Sequence, residues 1–278
     1  MNTLRFPHLV RWLSGVALLW VATASYPALA FDMAATMTEG GWQEREEVTT
    51  NAKGKVTGVN VVWVGVVGTK VVDGVDHIWL EIRNQEYKQN RKGERKAKGK
   101  PMAMKSLIET SALADMNNPS MEMRKFGKEI YMQNGNEAPI RMTEGGMMAN
   151  MAMQALGAEM DFSFQSANAT ESITVPAGTF KADKYLGSGS AQVKALVRTM
   201  RVETEIESWM SRDVPLGVVQ QKTKNTTNGK VSYVTSTLLS YGSGATSAID
   251  DSAAQNMPKL PGLNLPFGKK QQNNTRRR

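Results

Sequence analysis

The sequence predicts a mainly β protein built from antiparallel hairpins, with one short helical interruption. Alternation of apolar and polar residues recurs in segments of strand length, most clearly in Arg201–Met210. Turn residues separate such segments at Asp73-Gly74, Pro176–Thr179 and Asn228-Gly229. Between Glu144 and Met160 the apolar residues instead recur at the spacing of a helix face. We therefore expect one curved antiparallel sheet and a short helix.

The N-terminus has the pattern of a secretory signal peptide. Arg5 and Arg11 form a basic region before an apolar run, Trp12–Ala24. Ala28–Ala30 then supplies the small residues that a signal peptidase needs. We expect cleavage after Ala30, so that residues 1–30 are removed. The rest of the chain has no apolar run of membrane-spanning length, and the sequence contains no cysteine. These features predict export to the periplasm of a Gram-negative bacterium, with no transmembrane segment in the mature form.

The mature chain is predicted to be one domain, residues 31–242, followed by a disordered basic tail, residues 243–278. Beyond Gly242 the composition is rich in Ser, Gly, Asn, Gln and Pro. The formal net charge is +8, and much of the excess is in the leader and this tail. Since the basic charge lies mainly at the ends and the chain is exported, nucleic acid is not an expected partner.

The first predicted strands differ in their side-chain patterns. Trp42–Thr50 is polar, which favours an edge strand. Val56–Val72 has two apolar faces, which is typical of a central strand covered on both sides, with Trp63 on the face opposite Val62. His77–Tyr87 alternates apolar and polar residues and predicts a half-buried strand. We also expect strands at 105–113, 121–132 and 161–167.

A strongly basic segment, Lys88–Lys105, follows these strands. One interpretation is a solvated hairpin tip, since like charges repel and stay hydrated. The other is a cationic patch for anionic lipid headgroups, lipopolysaccharide or a wall polymer. The candidate contacts of this patch are Lys92, Arg95, Lys96 and Lys98.

Few residues are available for catalysis. Outside the leader His77 is the only histidine, and its place on the polar face of a strand indicates an ordinary surface residue. Glu203, Glu205 and Glu207 share one strand face, but charged side chains on a solvent face need no catalytic explanation. We expect no enzyme activity, no catalytic residues, no cofactor and no metal site of the His/Cys kind.

Methionine is the residue with a biased distribution. Twelve of the 18 methionines fall between Met102 and Met160, several of them as Met-x-Met pairs. Three interpretations remain open: ordinary core or lid packing, an adaptable apolar ligand surface, and Cu(I) binding through thioether sulfur.

The closing block carries a family resemblance. Val175–Phe180 reads VPAGTF, Trp209 and Ser211 precede Val214–Val219, and Lys222 follows. This block resembles uncharacterised bacterial cell-envelope proteins of the LolA/LolB-like (lipoprotein carrier-like) superfamily. The resemblance implies an incomplete, half-open β-barrel around a hydrophobic groove, with a short helix as plug or lid.

The function expected from these features is that of a non-enzymatic periplasmic carrier for a hydrophobic ligand or lipid. The residues expected to line its groove are Met147, Met148, Met151, Leu156, Met160 and Trp63. Two alternatives stay open. In the first alternative, the protein handles Cu(I) through its methionines. In the second, it is an envelope scaffold that docks on a protein partner or an anionic surface.

Overall fold

A computed structural model describes residues 31, 33–90, 93–114, 127–143, 160–195 and 198–256. The strands in these ranges form one sheet, and they are β1 (Trp42–Asn51), β2 (Val56–Val72), β3 (Val75–Gln89), β4 (Arg95–Ala97), β5 (Met102–Glu109), β6 (Glu129–Asn134), β7 (Ile140–Thr143), β8 (Met160–Val175), β9 (Gly178–Ala195), β10 (Arg198–Met210), β11 (Val218–Thr227), β12 (Lys230–Gly242) and β13 (Gln255–Asn256). Two short helices, α1 (Met33–Thr36) and α2 (Thr110–Ala114), and a 3-10 turn, Asp251–Ala253, complete the described elements. No helix in the described ranges is long and apolar enough to cross a membrane.

The sheet is a single 13-stranded surface with two edges. Its order is β13-β7-β6-β5-β3-β2-β1-β12-β11-β10-β9-β8, with β4 paired beside β3. Every described pairing is antiparallel except that of β13 with β7. The predicted mainly β, antiparallel architecture is confirmed. The sheet is not closed into a barrel, since β8 and β13 lie at its opposite edges.

The hairpin turns follow from their sequences. Asp73 and Asn228 adopt φ angles of 53° and 48°, and the glycines after them adopt 78° and 77°. Two successive residues with positive φ form the type I′ turn, whose twist matches that of paired strands. Pro176-Ala177 forms a two-residue turn between Val175 and Gly178. These three predicted turns are confirmed.

One face of the sheet is concave, and we call it the inner face. On it lie side chains such as Val64 of β2 and Ile82 of β3, which are directly opposite one another. Tyr185 of β9 and Met210 of β10 belong to the same buried cluster as these residues. Since β1, β12 and β11 separate these two groups of strands, the sheet must curve for the groups to meet.

Phe31 and the two short helices fill one end of this concavity. Phe31 packs edge-on against Tyr185, with ring centroids 6.3 Å apart, and is 1% exposed. Ala112 and Leu113 of α2 are buried in the same cluster. The predicted strand at 105–113 therefore ends at Glu109, where the chain turns inward to bury these two side chains. The predicted helical segment before Met160, residues 144–159, lies outside the described residues.

The closing block builds a second buried cluster. The members of this cluster are Val175, Phe180, Ala182, Trp209, Val214, Val219 and Leu238. The Trp209 indole donates to Glu171 Oε2 (2.9 Å), and the ammonium groups of Lys184 and Lys222 lie 4.9 and 5.2 Å from its ring centroid. Apolar residues of the closing block therefore have a structural role, although Leu216 and Val218 belong to the first cluster and not to this one.

Strand β1 is central, so the prediction of an edge strand is wrong. It pairs with β12 on one side and with β2 on the other. A polar sequence suggested an edge because edge strands face water. Here the polar side chains of Gln43 and Arg45 are buried on the inner face instead.

The chain also continues in order beyond Gly242, where the sequence predicted disorder. Residues 243–256 cross the outer face of the sheet from β12 to β7, and we call them the C-terminal strap. The buried Glu81 carboxylate accepts hydrogen bonds from Ser247 Oγ (2.5 Å) and the Ala248 N–H (3.0 Å). Lys105, buried between Trp79 and Tyr131, forms an ion pair with Asp251. The ordered domain therefore reaches at least Asn256.

Candidate functional site

A row of polar side chains crosses the middle of the inner face, and we call it the polar band. The register places Ser208, Gln221, Ser236 and Glu47 side by side on β10, β11, β12 and β1. The band also contains Gln43, Arg45 and Asn84. Arg45 lies opposite Val62, and Val62 lies opposite Asn84, so all three share this face.

Most of the polar band is buried, and several of its atoms have no hydrogen-bond partner among the residues that the structure describes. Gln43 is 0% exposed and Arg45 is 2% exposed. Among the described residues, no hydrogen-bond partner exists for the following buried atoms: Gln43 Nε2 and Oε1, Arg45 Nε, Asn84 Oδ1, Ser208 Oγ and Ser236 Oγ. An unsatisfied buried polar group costs about 1–3 kcal/mol, and native proteins contain few of them. Their concentration on one face indicates a site rather than a random packing defect.

Arg45 and Glu47 are the charged side chains of the polar band. Burial raises the pKa of Glu47, and the positive charge of Arg45 lowers it only in part. Within the described residues, the Arg45 Nε has no hydrogen-bond partner, and no carboxylate lies within salt-bridge distance of this guanidinium. The band therefore holds a buried guanidinium that forms no ion pair with a described carboxylate.

An apolar wall adjoins the polar band on the same face. It is formed by Val62, Val64, Val66, Ile78, Leu80, Ile82, Met104, Ile130 and Met132. Val62 is the direct cross-strand neighbour of both Arg45 and Asn84. The inner face thus places Arg45 Nε, the amide atoms of Gln43 and Asn84 Oδ1, which have no partner among the described residues, beside a continuous aliphatic surface. This lining is amphipathic.

The predicted groove residues are only partly placed by the structure. Met147, Met148, Met151 and Leu156 lie outside the described residues. Met160 begins β8, and its side chain is not described. Trp63 points to the outer face of the sheet, whereas its neighbours Val62 and Val64 point to the inner face. Its ring stacks on that of Trp42, with centroids 6.4 Å apart, and the Arg83 guanidinium carbon lies 3.8 Å from the Trp63 ring centroid. The geometry places Trp63 away from the inner face.

The described methionines on β5 and β6 lie on the inner face, and Met104 and Met132 belong to the apolar wall. Met104 is buried and lies directly opposite Met132, and Met102 lies two residues further along the same face. This arrangement fits ordinary packing by flexible apolar side chains. No group of three or more His, Asp or Glu side chains suited to a metal ion occurs in the part of the chain described.

The basic segment is largely neutralised where it is described. Arg95 forms a two-pronged ion pair with Glu46, Lys98 pairs with Glu86, and Lys100 pairs with Glu137. Lys96 is exposed on β4, and Lys92 lies outside the described residues. These ion pairs fit a solvated hairpin better than a free cationic patch.

The residues considered for catalysis form a hydrogen bond or ion pairs within the fold. His77 is buried, not on the surface as predicted, and its Nδ1 donates to the Val75 carbonyl (2.8 Å). Glu203, Glu205 and Glu207 face outward and form ion pairs, with Arg201, Lys224 and Lys184 respectively.

Sequence reasoning missed the polar band. Its visible trace was the run Trp42–Asn51, in which polar residues occupy both faces of a strand. A central strand with buried polar residues breaks the usual agreement between pattern and position, and such breaks are concentrated at functional sites.

Comparisons with known proteins do not assign a family. No protein-family model matches the sequence, and no curated protein matches it. Among solved structures, a putative lipoprotein from Parabacteroides distasonis is 16% identical with a TM-score of 0.36, and the match covers 74% of this chain and 96% of that one. A putative exported protein with YmcC-like fold from Bacteroides fragilis is 13% identical with a TM-score of 0.32, at the same coverages. Similarities this weak assign neither fold nor function to this chain.

Proposed function

We propose that the protein is an exported, periplasmic binding protein that holds a lipid-like, amphiphilic ligand on its inner face, and that it is not an enzyme. One observation carries the proposal. Buried polar atoms that have no hydrogen-bond partner in the described part of the chain adjoin an aliphatic wall on a single concave surface. A ligand with a polar end and an apolar chain satisfies both parts of this lining. The leader-like N-terminus and the LolA/LolB-like resemblance support export and a carrier role.

The expected binding energy comes mainly from the apolar chain. Burial of hydrocarbon contributes about 0.8 kcal/mol per methylene group, so one acyl chain supports useful affinity. In the proposed complex the chain lies along half-buried positions of the inner face, such as Met102, Met132 and Val234. The polar end then reaches the polar band.

Native mass spectrometry tests the proposal directly. The mature protein is purified from its host, and any bound molecules are measured, extracted and identified. We expect a lipid-like adduct on the wild-type protein and its loss in Val234→Lys, which puts a charge on the inner face. The matched control is Tyr233→Lys, since Tyr233 is the next residue on β12 but points outward and is 43% exposed. The control should keep the adduct.

Other results would favour the alternatives. Tight Cu(I) binding by protein free of lipid, abolished by Met102→Leu and Met132→Leu together, would contradict the lipid proposal and support copper handling. Absence of both ligands, together with loss of envelope association after removal of Arg276–Arg278, would support the scaffold function instead.

A further inference from the structure

The chemistry of the polar band points to the kind of ligand headgroup. Arg45 carries a permanent positive charge at a position that is 2% exposed. Its Nε has no hydrogen-bond partner among the described residues. Glu47 is the acid of β1 that shares the inner face with Arg45, and burial favours its neutral form. The charge of Arg45 is therefore available for an anion.

The groups around Arg45 suit an oxygen-rich anion. Gln43 Nε2 and the hydroxyl groups of Ser208 and Ser236 are buried donors without partners in the described part of the chain. Gln43 Oε1 and Asn84 Oδ1 are buried acceptors, and they suit a hydroxyl group carried by the same headgroup. Arginine binds carboxylates and phosphates through paired N–H donors, which strengthens and orients the contact.

We propose that the polar band binds an anionic headgroup, a carboxylate or a phosphate, with Arg45 as its main contact and Gln43 and Ser236 as further donors. This inference rests on the proposed function, because it assumes that the inner face holds an amphiphile. It adds the ligand's charge and the residues that select it. The apolar wall beside Val62 receives the chain that continues from the headgroup.

A set of probes with one chain length and different headgroups tests the inference. Binding of hexadecanoate, hexadecyl phosphate and hexadecanol to the purified, delipidated protein is measured by displacement of a fluorescent acyl probe. We expect the anions to bind at least about tenfold more tightly than the alcohol, which is the size of one charge-assisted hydrogen bond. Acetate and inorganic phosphate are measured in parallel by calorimetry, and we expect them to bind far more weakly.

Variants of Arg45 connect the preference to the residue. Arg45→Gln should lose most of the preference for anions, measured within the variant as the ratio of its hexadecanoate affinity to its hexadecanol affinity. Arg45→Lys keeps the positive charge and should keep part of the preference for anions. The control is Arg83→Gln, which removes an arginine from the outer face, where it stacks on Trp63. This control should leave the headgroup preference unchanged.

The outcomes distinguish failure of the headgroup inference from failure of the carrier function. If hexadecanol binds as tightly as the anions, the headgroup inference is overturned while the carrier function stands. If no chain-bearing probe binds the wild type, both fail. If inorganic phosphate binds as tightly as hexadecyl phosphate, the site takes a free anion and the lipid source is wrong. Because the wild-type preference is measured without any substitution, an unstable Arg45 variant does not remove the test.

Discussion

At the scale of single residues, Glu47 shows how the polar band affects stability. Burial raises the pKa of this carboxyl above its ordinary value of 4.5, so the folded state holds the proton more tightly than the unfolded state does. Stability from this group is greatest below the unfolded pKa and decreases as pH rises through the folded pKa. At neutral pH, where the unfolded carboxyl ionises freely, the burial of Glu47 therefore destabilises the fold.

We expect Glu47→Gln to raise the urea midpoint at about pH 7.5 and to change it little near pH 4, where both states are mostly protonated. Urea unfolding at the two pH values measures this. Glu44→Gln is the control, because Glu44 lies on the opposite face of the same strand. A lower midpoint for Glu47→Gln at neutral pH would instead identify Glu47 as an ion-pair partner that Arg45 needs.

Gly217 is required for two separate reasons. Its φ of +79° is unfavourable for other residues, and a Cβ there would lie 2.5 Å from the Phe31 ring. Gly229 has a similar φ of +77°, but no described residue other than its two chain neighbours has a heavy atom within 4 Å of the position that its Cβ would take. Comparison of the two alanine variants separates backbone strain from steric overlap.

We expect Gly229→Ala to cost about 1–2 kcal/mol through strain alone. Gly217→Ala should cost a further 1–3 kcal/mol or so, since it also overpacks the core. Chemical denaturation of both variants measures the difference. Equal losses would show that Phe31 moves aside without cost, in contradiction to the tight packing of this end of the sheet.

At the scale of elements, the C-terminal strap completes the outer face. It supplies hydrogen bonds to buried Glu81, an ion pair to Lys105 and a buried side chain, Ile249. Its last residues, β13, pair with the edge strand β7. The strap is thus part of the folded domain, although its composition resembles that of a disordered tail.

A chain that ends at Gly242 should therefore lose roughly 4–9 kcal/mol of unfolding free energy, the sum of one buried apolar side chain and two hydrogen bonds to a charged group. A chain that ends at Asn256 should be as stable as the full mature protein. Urea denaturation of both truncations gives the comparison. Equal stability of the two would contradict a structural role for the strap.

The elements also show where sequence patterns were sufficient. Asp73-Gly74 and Asn228-Gly229 encode their turns locally, and both turns form as predicted. The outer and inner sides of β10 follow its alternation, with Thr204, Ile206 and Ser208 buried. Strand β1 could not be placed in this way, because its neighbours β12 and β2 are chosen by long-range pairing.

At the scale of the whole molecule, the residue that follows the predicted cleavage site, Phe31, packs in the buried core. Cleavage after Ala30 would make Phe31 the first residue of the mature chain, and its ring is buried against Tyr185 and beside Gly217. Phe31→Ala should destabilise the protein by about 3–5 kcal/mol, as is typical when a buried aromatic ring is removed.

Intact mass measurement of the exported protein establishes its N-terminus, and thermal unfolding measures the cost of the substitution. A mature chain that starts at Met33 should be destabilised to a similar extent as Phe31→Ala. Full stability of that shorter chain would show that Phe31 is dispensable for the core.

The sequence by itself determined the antiparallel hairpins, their turns and the period-two alternation, because these depend on neighbouring residues. Alternation assigns side chains to two faces, but it does not say which face becomes concave or which strands meet across it. The tertiary structure decided that Gln43 and Arg45 point to the concave inner face of the sheet and that Trp63 points to the outer face. The same long-range packing placed the C-terminal strap over Glu81. The candidate site is therefore a product of sheet curvature, which no local pattern encodes.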